Sequence, residues 1–107
     1  TEFGADFIRG WLRVMAERPE AIVSPQVYWH SDPETIWWSG GPMSILVPFI
    51  RQRRAYREPT RVDIVCGCAL LVPVSEWRKL DGLDERYFFY FEDTDFGLRA
   101  KRAGILC

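Results

Sequence analysis

The feature that most constrains the fold is an almost unbroken apolar run at residues 61 to 74, RVDIVCGCALLVPV. Val, Ile and Leu dominate this run, which is typical of a β-strand covered on both faces. We therefore predict that residues 60 to 73 form a central strand in an α/β fold. Gly67 lies in the middle of the run. Because glycine has no side chain, we expect another group to approach its backbone closely.

The segments before this run predict a helix and a short strand. Residues 5 to 18, ADFIRGWLRVMAER, place apolar side chains at helical spacing, with Asp6 as the expected N-cap. Residues 21 to 29 have the composition of a strand, in which Pro25 indicates an edge position or a bulge. Residues 30 to 59 carry turn signals and are predicted to be irregular.

The segments after the run predict two helices. Ser75 is the expected cap of a short helix, SEWRKL, and a last helix is predicted over residues 92 to 103. Gly104 then takes the C-cap position that glycine favours.

Size and charge exclude several classes of protein. The chain has 107 residues and a formal net charge of -1, so it fits one domain, or part of a larger one, with no global field for nucleic acid. Its apolar runs are far shorter than the roughly 20 residues of a membrane helix. The chain begins abruptly with TEFGADF and stops within an apolar segment at ILC. We expect both ends to be cuts in a longer protein.

The cysteines predict neither a disulfide framework nor a zinc site. The chain has three cysteines, an odd number, at Cys66, Cys68 and Cys107, and a single histidine, His30. A structural zinc site needs about four ligands. We expect buried free thiols in a reducing cytoplasm, with Cys66 and Cys68 on the same face of the predicted strand.

Residues 87 to 104, YFFYFEDTDFGLRAKRAG, set five aromatic residues directly before three clustered acids. Glu92, Asp93 and Asp95 fall in the first turn of the predicted helix, where the helix dipole favours negative charge. That explanation accounts for the acids and leaves the rings unexplained. Three acids also suit Mg²⁺ or Ca²⁺, although the segment lacks the glycine and the alternating ligands of a calcium loop.

Two further features have open interpretations. The basic cluster at Arg51, Arg53, Arg54 and Arg57 is either a phosphate site or a solvated helix end or loop. The rings of residues 88 to 91 either stack on a sugar or fill the core from alternate faces of a strand.

These motifs together resemble the second half of the catalytic domain of family 2 glycosyltransferases, with the closest likeness to rhamnosyltransferase-like members. The opening 29 residues resemble the part of that domain just after its metal motif. Leu83 stands where the family usually has Phe. The segments that carry the likeness are Gly67, Gly82-Leu83-Asp84-Glu85, Phe88 to Phe91, Glu92-Asp93-Thr94-Asp95, Leu98-Arg99 and Ala103-Gly104.

The resemblance implies a GT-A fold, in which a mixed sheet is flanked by helices. Residues 1 to 107 would form the acceptor-side portion of the catalytic domain, without its N-terminal nucleotide-binding part. The Asp-x-Asp that holds a divalent metal, Mg or Mn, would lie before Thr1. Asp93-Thr94-Asp95 matches the family's acceptor-side motif by position and not its metal motif.

The resemblance also implies a function, namely inverting transfer of a sugar from a nucleotide-diphosphate donor to an acceptor hydroxyl. Asp93 matches the position of the general base, and Glu92 and Asp95 are its charged neighbours. Trp38 is a candidate for sugar stacking, because loops carry binding residues more often than regular elements do. Gly67 is a candidate for close approach to substrate.

The implied partners are a nucleotide sugar and a carbohydrate or lipid-linked acceptor, in cell-surface polysaccharide synthesis. The implied place is the cytoplasm, at the inner face of the membrane. A non-catalytic carbohydrate-binding or interaction module on the same scaffold is the alternative. We also expect the isolated chain to be inactive and to self-associate, through a strand at 61 to 74 whose edge is exposed.

Overall fold

The computed structural model of the chain describes residues 3–43 and 55–107. They form a small mixed α/β structure, as predicted at that level of detail. Its elements are helix α1 (Phe7–Glu17), strands β1 (Val27–Trp29) and β2 (Asp32–Trp38), and helices α2 (Val74–Lys79) and α3 (Glu92–Arg102). In this part of the chain no helix combines the length and the apolar character needed to cross a bilayer.

Helix α1 confirms the first predicted helix, but its apolar face is largely uncovered. Asp6 occupies the N-cap position without a side-chain capping bond, and no residue of α1 is buried. Ile8 and Leu12 remain 58% and 62% exposed. The helix is therefore held by its own backbone bonds and local ring contacts more than by the core.

The two strands form an antiparallel hairpin, and β2 corrects the prediction that residues 30 to 59 are irregular. Trp29 pairs with Asp32 across a two-residue turn, and Val27 pairs with Trp38. The Asp32-Pro33 pair suggested a turn, yet Pro33 is tolerated because a two-stranded sheet has free edges that need no donor. Residues 44–54, which include Arg51, Arg53 and Arg54 of the basic cluster, lie outside the described residues.

The predicted central strand at residues 60 to 73 is wrong. This segment is neither helix nor strand, and it makes isolated bridges at Ile64, to Gly41, and at Leu71, to Val23. A strand requires a continuous ladder of partners, and here each partner meets the segment at one residue. The apolar composition of the run reflects burial of the segment and not strand formation, because Ile64 and Val65 are 2% and 0% exposed. Because the segment is not a strand, it has no exposed strand edge of the kind on which we based the prediction of self-association.

Helix α2 is confirmed, shifted by one residue from the predicted segment SEWRKL at both ends, because it spans Val74–Lys79. Pro73 is its N-cap, so Ser75 lies inside the first turn and is not the cap. The Asp81 N–H bonds the Arg78 carbonyl and the Gly82 N–H bonds the Trp77 carbonyl. This is the Schellman pattern of helix termination.

Helix α3 supplies the centre of the core and ends as the sequence predicts. Phe96 and Ala100 are fully buried, and the cluster around them contains Ile22, Val65, Leu80 and Ile105. Gly104 has φ +73, and the N–H of Ile105 bonds the Ala100 carbonyl. Because the left-handed conformation at Gly104 favours glycine, the end of α3 could be predicted from the sequence.

A glycine on α3 sets how closely the helix meets the buried segment. A Cβ added at Gly97 would lie 2.5 Å from the backbone carbonyl oxygen of Asp63. Lys101, one turn further along α3, pairs with the Asp63 carboxylate at 2.7 Å. Helix α3 therefore packs directly on main chain, and this contact fixes where its first turn lies.

Candidate functional site

The Asp93 carboxylate is held from two sides at the start of α3. Its Oδ2 atom accepts a hydrogen bond from the Gly67 N–H at 2.8 Å, and its Oδ1 atom accepts one from the Thr94 N–H at 2.7 Å. A Cβ added at Gly67 would lie 3.2 Å from the Asp93 Cβ. The group that approaches the Gly67 backbone is thus the Asp93 side chain, which would have to shift by a few tenths of an ångström if residue 67 carried a Cβ.

Asp95 is engaged by Arg99 and is not directed to the same point as Asp93. Its Oδ2 atom accepts a hydrogen bond from Arg99 Nε at 2.7 Å, one helical turn along α3. The same guanidinium donates to the carbonyl oxygens of Leu80 and Gly82. Arg99 therefore ties the first turn of α3 to the end of α2, which gives the Leu-Arg motif a positioning role.

Glu92 carries a carboxylate oxygen with no partner among the described residues. The side chain is half-buried, and its Oε2 atom is buried without a hydrogen bond there. Unpaired buried polar atoms are uncommon in native structures. Because this oxygen is also inaccessible from solvent, it marks an unsatisfied acceptor beside Asp93 and not a ligand contact.

The acids of α3 do not fit a divalent metal. Within residues 3–43 and 55–107 no three His, Cys, Asp or Glu side chains are grouped to hold a metal ion. Asp93 binds two backbone N–H groups, and Asp95 binds Arg99. Asp95 is paired with Arg99 and Glu92 leaves a single unpaired oxygen among these residues, so the three acids do not supply the several converging oxygen ligands that Mg²⁺ or Ca²⁺ takes.

The aromatic run before α3 lies on the surface, so of the two interpretations of its rings, the one in which they fill the core from a strand is wrong. Phe88 is fully exposed, and Phe89 and Tyr90 are 71% and 67% exposed. Tyr90 and Phe91 have φ +66 and +69, in the left-handed region that side chains rarely occupy. The backbone therefore turns sharply into α3 and leaves apolar rings in solvent beside the three acids.

Gly67 lines an open groove of about 570 Å³. Its walls are mainly apolar and include Phe7, Trp11, Trp77 and Leu83. Gly67 belongs to this groove and also donates to Asp93. One residue of the groove wall is therefore hydrogen-bonded to Asp93, the candidate base.

A second concavity, which Arg99 lines, holds a tight ion pair. Arg86 Nη2 and Asp84 Oδ2 lie 2.5 Å apart, and Arg86 Nε adds contacts at 3.0 Å to both Asp84 oxygens. The hydrogen bonds from Arg86 lower the pKa of Asp84 to about 2. The Gly-Leu-Asp-Glu motif thus forms a charged turn and not an apolar one.

Trp38, the predicted stacking residue, is not joined to Asp93. No hydrogen bond or ring contact of the described residues connects the two. Trp38 lies at the end of β2 with its ring centroid 6.4 Å from that of Trp37, and its indole Nε1 is buried without a partner among residues 3–43 and 55–107. Its assignment as a sugar-binding residue stays a prediction.

Sequence reasoning missed the roles of Thr94 and Arg99 in fixing the carboxylates. Arg99 was noted as part of a motif, although its separation of four residues from Asp95 is the spacing that lets side chains pair on one face of a helix. The bond from the Thr94 N–H depends on the χ1 angle of Asp93, for which the sequence carries no signal.

Comparison with known proteins gives a consistent but partial likeness. No family model matches the chain, and no solved structure matches it significantly. The N-acetylglucosaminyl-diphospho-decaprenol L-rhamnosyltransferase of Mycobacterium tuberculosis (strain ATCC 25618 / H37Rv) is 38% identical over 76 residues, covering 63% of this chain and 25% of the relative. Rhamnosyltransferase WbbL of Escherichia coli (strain K12) is 41% identical over 46 residues, covering 43% of this chain and 17% of the relative.

The chain therefore spans a quarter or less of the length of these curated relatives. Both relatives are rhamnosyltransferases by name, and the resemblance deduced from the motifs points the same way. The shared similarity supports a relation to glycosyltransferases, over part of the chain and at moderate identity.

Proposed function

We propose that the chain is the acceptor-side portion of a family 2 glycosyltransferase of GT-A fold, within a longer protein. That protein transfers a deoxyhexose such as rhamnose, with inversion, from a nucleotide-diphosphate donor to a lipid-linked carbohydrate acceptor. The observation that carries the proposal is the similarity to two named rhamnosyltransferases. The fixed carboxylate at Asp93 supplies the chemistry.

Asp93 acts as the general base. As the acceptor hydroxyl oxygen bonds to the anomeric carbon and the nucleoside diphosphate leaves, the hydroxyl proton moves to the Asp93 carboxylate. Asp93 Oδ1 accepts both the N–H and the hydroxyl of Thr94, whereas Oδ2 accepts only the Gly67 N–H. A carboxylate oxygen has two acceptor sites, so Oδ2 retains one for the acceptor hydroxyl. A base positioned in this way contributes about 10²–10⁴-fold to the rate.

The surroundings of Asp93 suit a lipid-linked acceptor. The apolar groove at Gly67 and the exposed rings of residues 88 to 91 place apolar surface on two sides of the acids. One relative is named for a decaprenol-linked acceptor. The acceptor sugar would lie at Asp93, with Glu92 as a charged neighbour and the lipid near the apolar surface, at the cytoplasmic face of the membrane.

The remaining predicted residues have supporting roles. Asp95 holds Arg99 and so fixes the helix turn that carries Asp93. Trp38 stacks on a sugar face. The divalent metal that the family resemblance implies would use ligands elsewhere in the longer protein, and no step proposed for these residues passes through it.

The test is Asp93→Asn in the longer protein, assayed for sugar transfer and for nucleotide-sugar affinity. We expect kcat to fall at least about 100-fold, because the amide accepts no proton, while donor affinity stays nearly unchanged. Asp6→Asn is the matched control, because Asp6 also lies at a helix start and its side chain is 81% exposed. A loss of less than about tenfold would argue against a base role for Asp93.

The same experiment separates the enzyme from the alternative, a non-catalytic carbohydrate-binding module. If the unaltered longer protein binds an acceptor glycan but cleaves no nucleotide sugar, the module is the correct reading. The isolated chain is expected to transfer no sugar, and titration calorimetry with nucleotide sugars is expected to show no micromolar binding.

A further inference from the structure

The two cysteines on either side of Gly67 have their sulfur atoms in contact. The Sγ atoms of Cys66 and Cys68 lie 3.3 Å apart, in a turn closed by a 3.4 Å bond from the Ala69 N–H to the Cys66 carbonyl. Cys66 is buried, and Cys68 is exposed on the wall of the groove. The proposed transfer reaction uses neither thiol.

This arrangement is close to that of a disulfide. A disulfide bond is about 2.05 Å long, so the sulfur atoms need to approach each other by little more than about 1 Å. Gly67 lies between the cysteines, and its lack of a Cβ lets the turn adjust. Cys107, the third cysteine, packs against the hydrophobic core and provides an internal reference.

We propose that Cys66 and Cys68 are a thiol pair that a low-molecular-weight disulfide oxidises to an intrachain disulfide, and that this bond controls the position of Asp93. The control of activity rests on the proposed function, whereas the oxidation itself does not. Oxidised glutathione is the co-reactant that represents this chemical class.

The reaction balances in two exchange steps. The Cys68 thiolate attacks one sulfur of oxidised glutathione, forms a mixed disulfide and releases one reduced glutathione. The Cys66 sulfur then attacks the Cys68 sulfur and releases the second glutathione. The chain loses two protons and two electrons, and oxidised glutathione takes up both pairs to become two reduced molecules.

The order of the steps follows from exposure. Burial raises the pKa of Cys66 to about 12, so its thiol reacts slowly with reagents in solution. Cys68 is exposed and meets the reagent first. Once Cys68 carries glutathione, the Cys66 sulfur is already at contact distance, which makes the second step intramolecular.

Formation of the bond changes the site through Gly67. The Gly67 N–H holds Asp93 Oδ2 at 2.8 Å, and a disulfide between residues 66 and 68 closes a small ring that includes this amide. The turn has to rotate to bring the sulfurs together, and the amide rotates with it. Asp93 then loses one of the two donors that fix its orientation.

The first test is intact mass after incubation with oxidised glutathione, on the chain carrying Cys107→Ser. We expect a loss of two hydrogen masses that a reducing agent reverses. With Cys66→Ser added we expect a stable glutathione adduct, and with Cys68→Ser added we expect neither product. A lasting glutathione adduct on the Cys107→Ser chain, or no change in its mass, would overturn the proposal.

The second test measures whether oxidation changes the hydrogen bond between Gly67 and Asp93. The Gly67 amide resonance, assigned by glycine-selective ¹⁵N labelling, is expected to shift on oxidation, and Asp93→Asn identifies the part of the shift that depends on the carboxylate. In the longer protein, the activity after oxidation divided by the activity before oxidation is expected to fall well below one and to return to one with Cys68→Ser. A formed disulfide with an unchanged ratio would overturn the control of activity alone. A reduced protein that transfers no sugar would overturn the proposed function, while the mass result still stands.

Discussion

Gly97 offers the sharpest test of how α3 is positioned. A Cβ at this residue would lie 2.5 Å from the Asp63 carbonyl oxygen, whereas ordinary contacts of a Cβ begin near 3.4 Å. In Gly97→Ala, α3 or the segment at Asp63 therefore has to move by about 0.9 Å. The obstructing atom belongs to the backbone, and no side-chain rotation relieves the clash.

Two opposing terms set the size of the effect. Overpacking of this kind costs about 1–3 kcal/mol, and a rigid backbone obstacle places the cost near the upper end. Alanine in a helix is favoured over glycine by about 1 kcal/mol. We therefore expect Gly97→Ala to lower the free energy of unfolding by about 1–2 kcal/mol.

Gly10 in α1 provides the matched control, because a Cβ added there has nothing within 4 Å. Gly10→Ala retains the propensity gain without the clash and is expected to stabilise the chain by about 0.5–1 kcal/mol. Urea titrations of both variants followed by circular dichroism measure the difference. If Gly97→Ala is as stable as Gly10→Ala, α3 does not pack on the Asp63 backbone as described.

Two further predictions concern acid and self-association. Because the pKa of Asp84 is about 2 when folded and 3.8 as its ordinary value, this group stabilises the chain above pH 3.8, and that stability is lost as the pH falls towards 2. Urea titrations in that pH range should show that the free energy of unfolding of Arg86→Gln falls less with decreasing pH than that of the unaltered chain. The exposed rings of Phe88 and Phe89 favour dimers, which light scattering should detect and the double change to Ser should weaken; a monomer across the micromolar range would refute this.

The sequence predicts α1 and α3 well because their signals are local. Helical spacing marks both, and Gly104 marks the end of α3. The approach to Gly67 was also predictable, since glycine inside an apolar run indicates a close neighbour. The identity of that neighbour was not, because Asp93 is 26 residues away along the chain.

The errors share one physical cause. Residues 60 to 73 are apolar because they are buried, but a strand also needs partners on the sheet, and apolar residues carry no information about those partners. The rings of residues 88 to 91 show the converse. Their β propensity is high, yet the left-handed backbone at Tyr90 and Phe91 takes the segment out of any ladder.

The Arg99 side chain has a consequence for how the molecule opens. Its bonds to the carbonyls of Leu80 and Gly82 are made from α3 but satisfy the chain just beyond α2. Neither helix can fray at this point without breaking bonds of the other, so they form one cooperative unit in native-state amide exchange. Helix α1 buries none of its residues and shares no such bond with that unit. The amides of α1 should therefore exchange through a separate opening of lower free energy than the hydrogen-bonded amides of α2 and of the middle of α3.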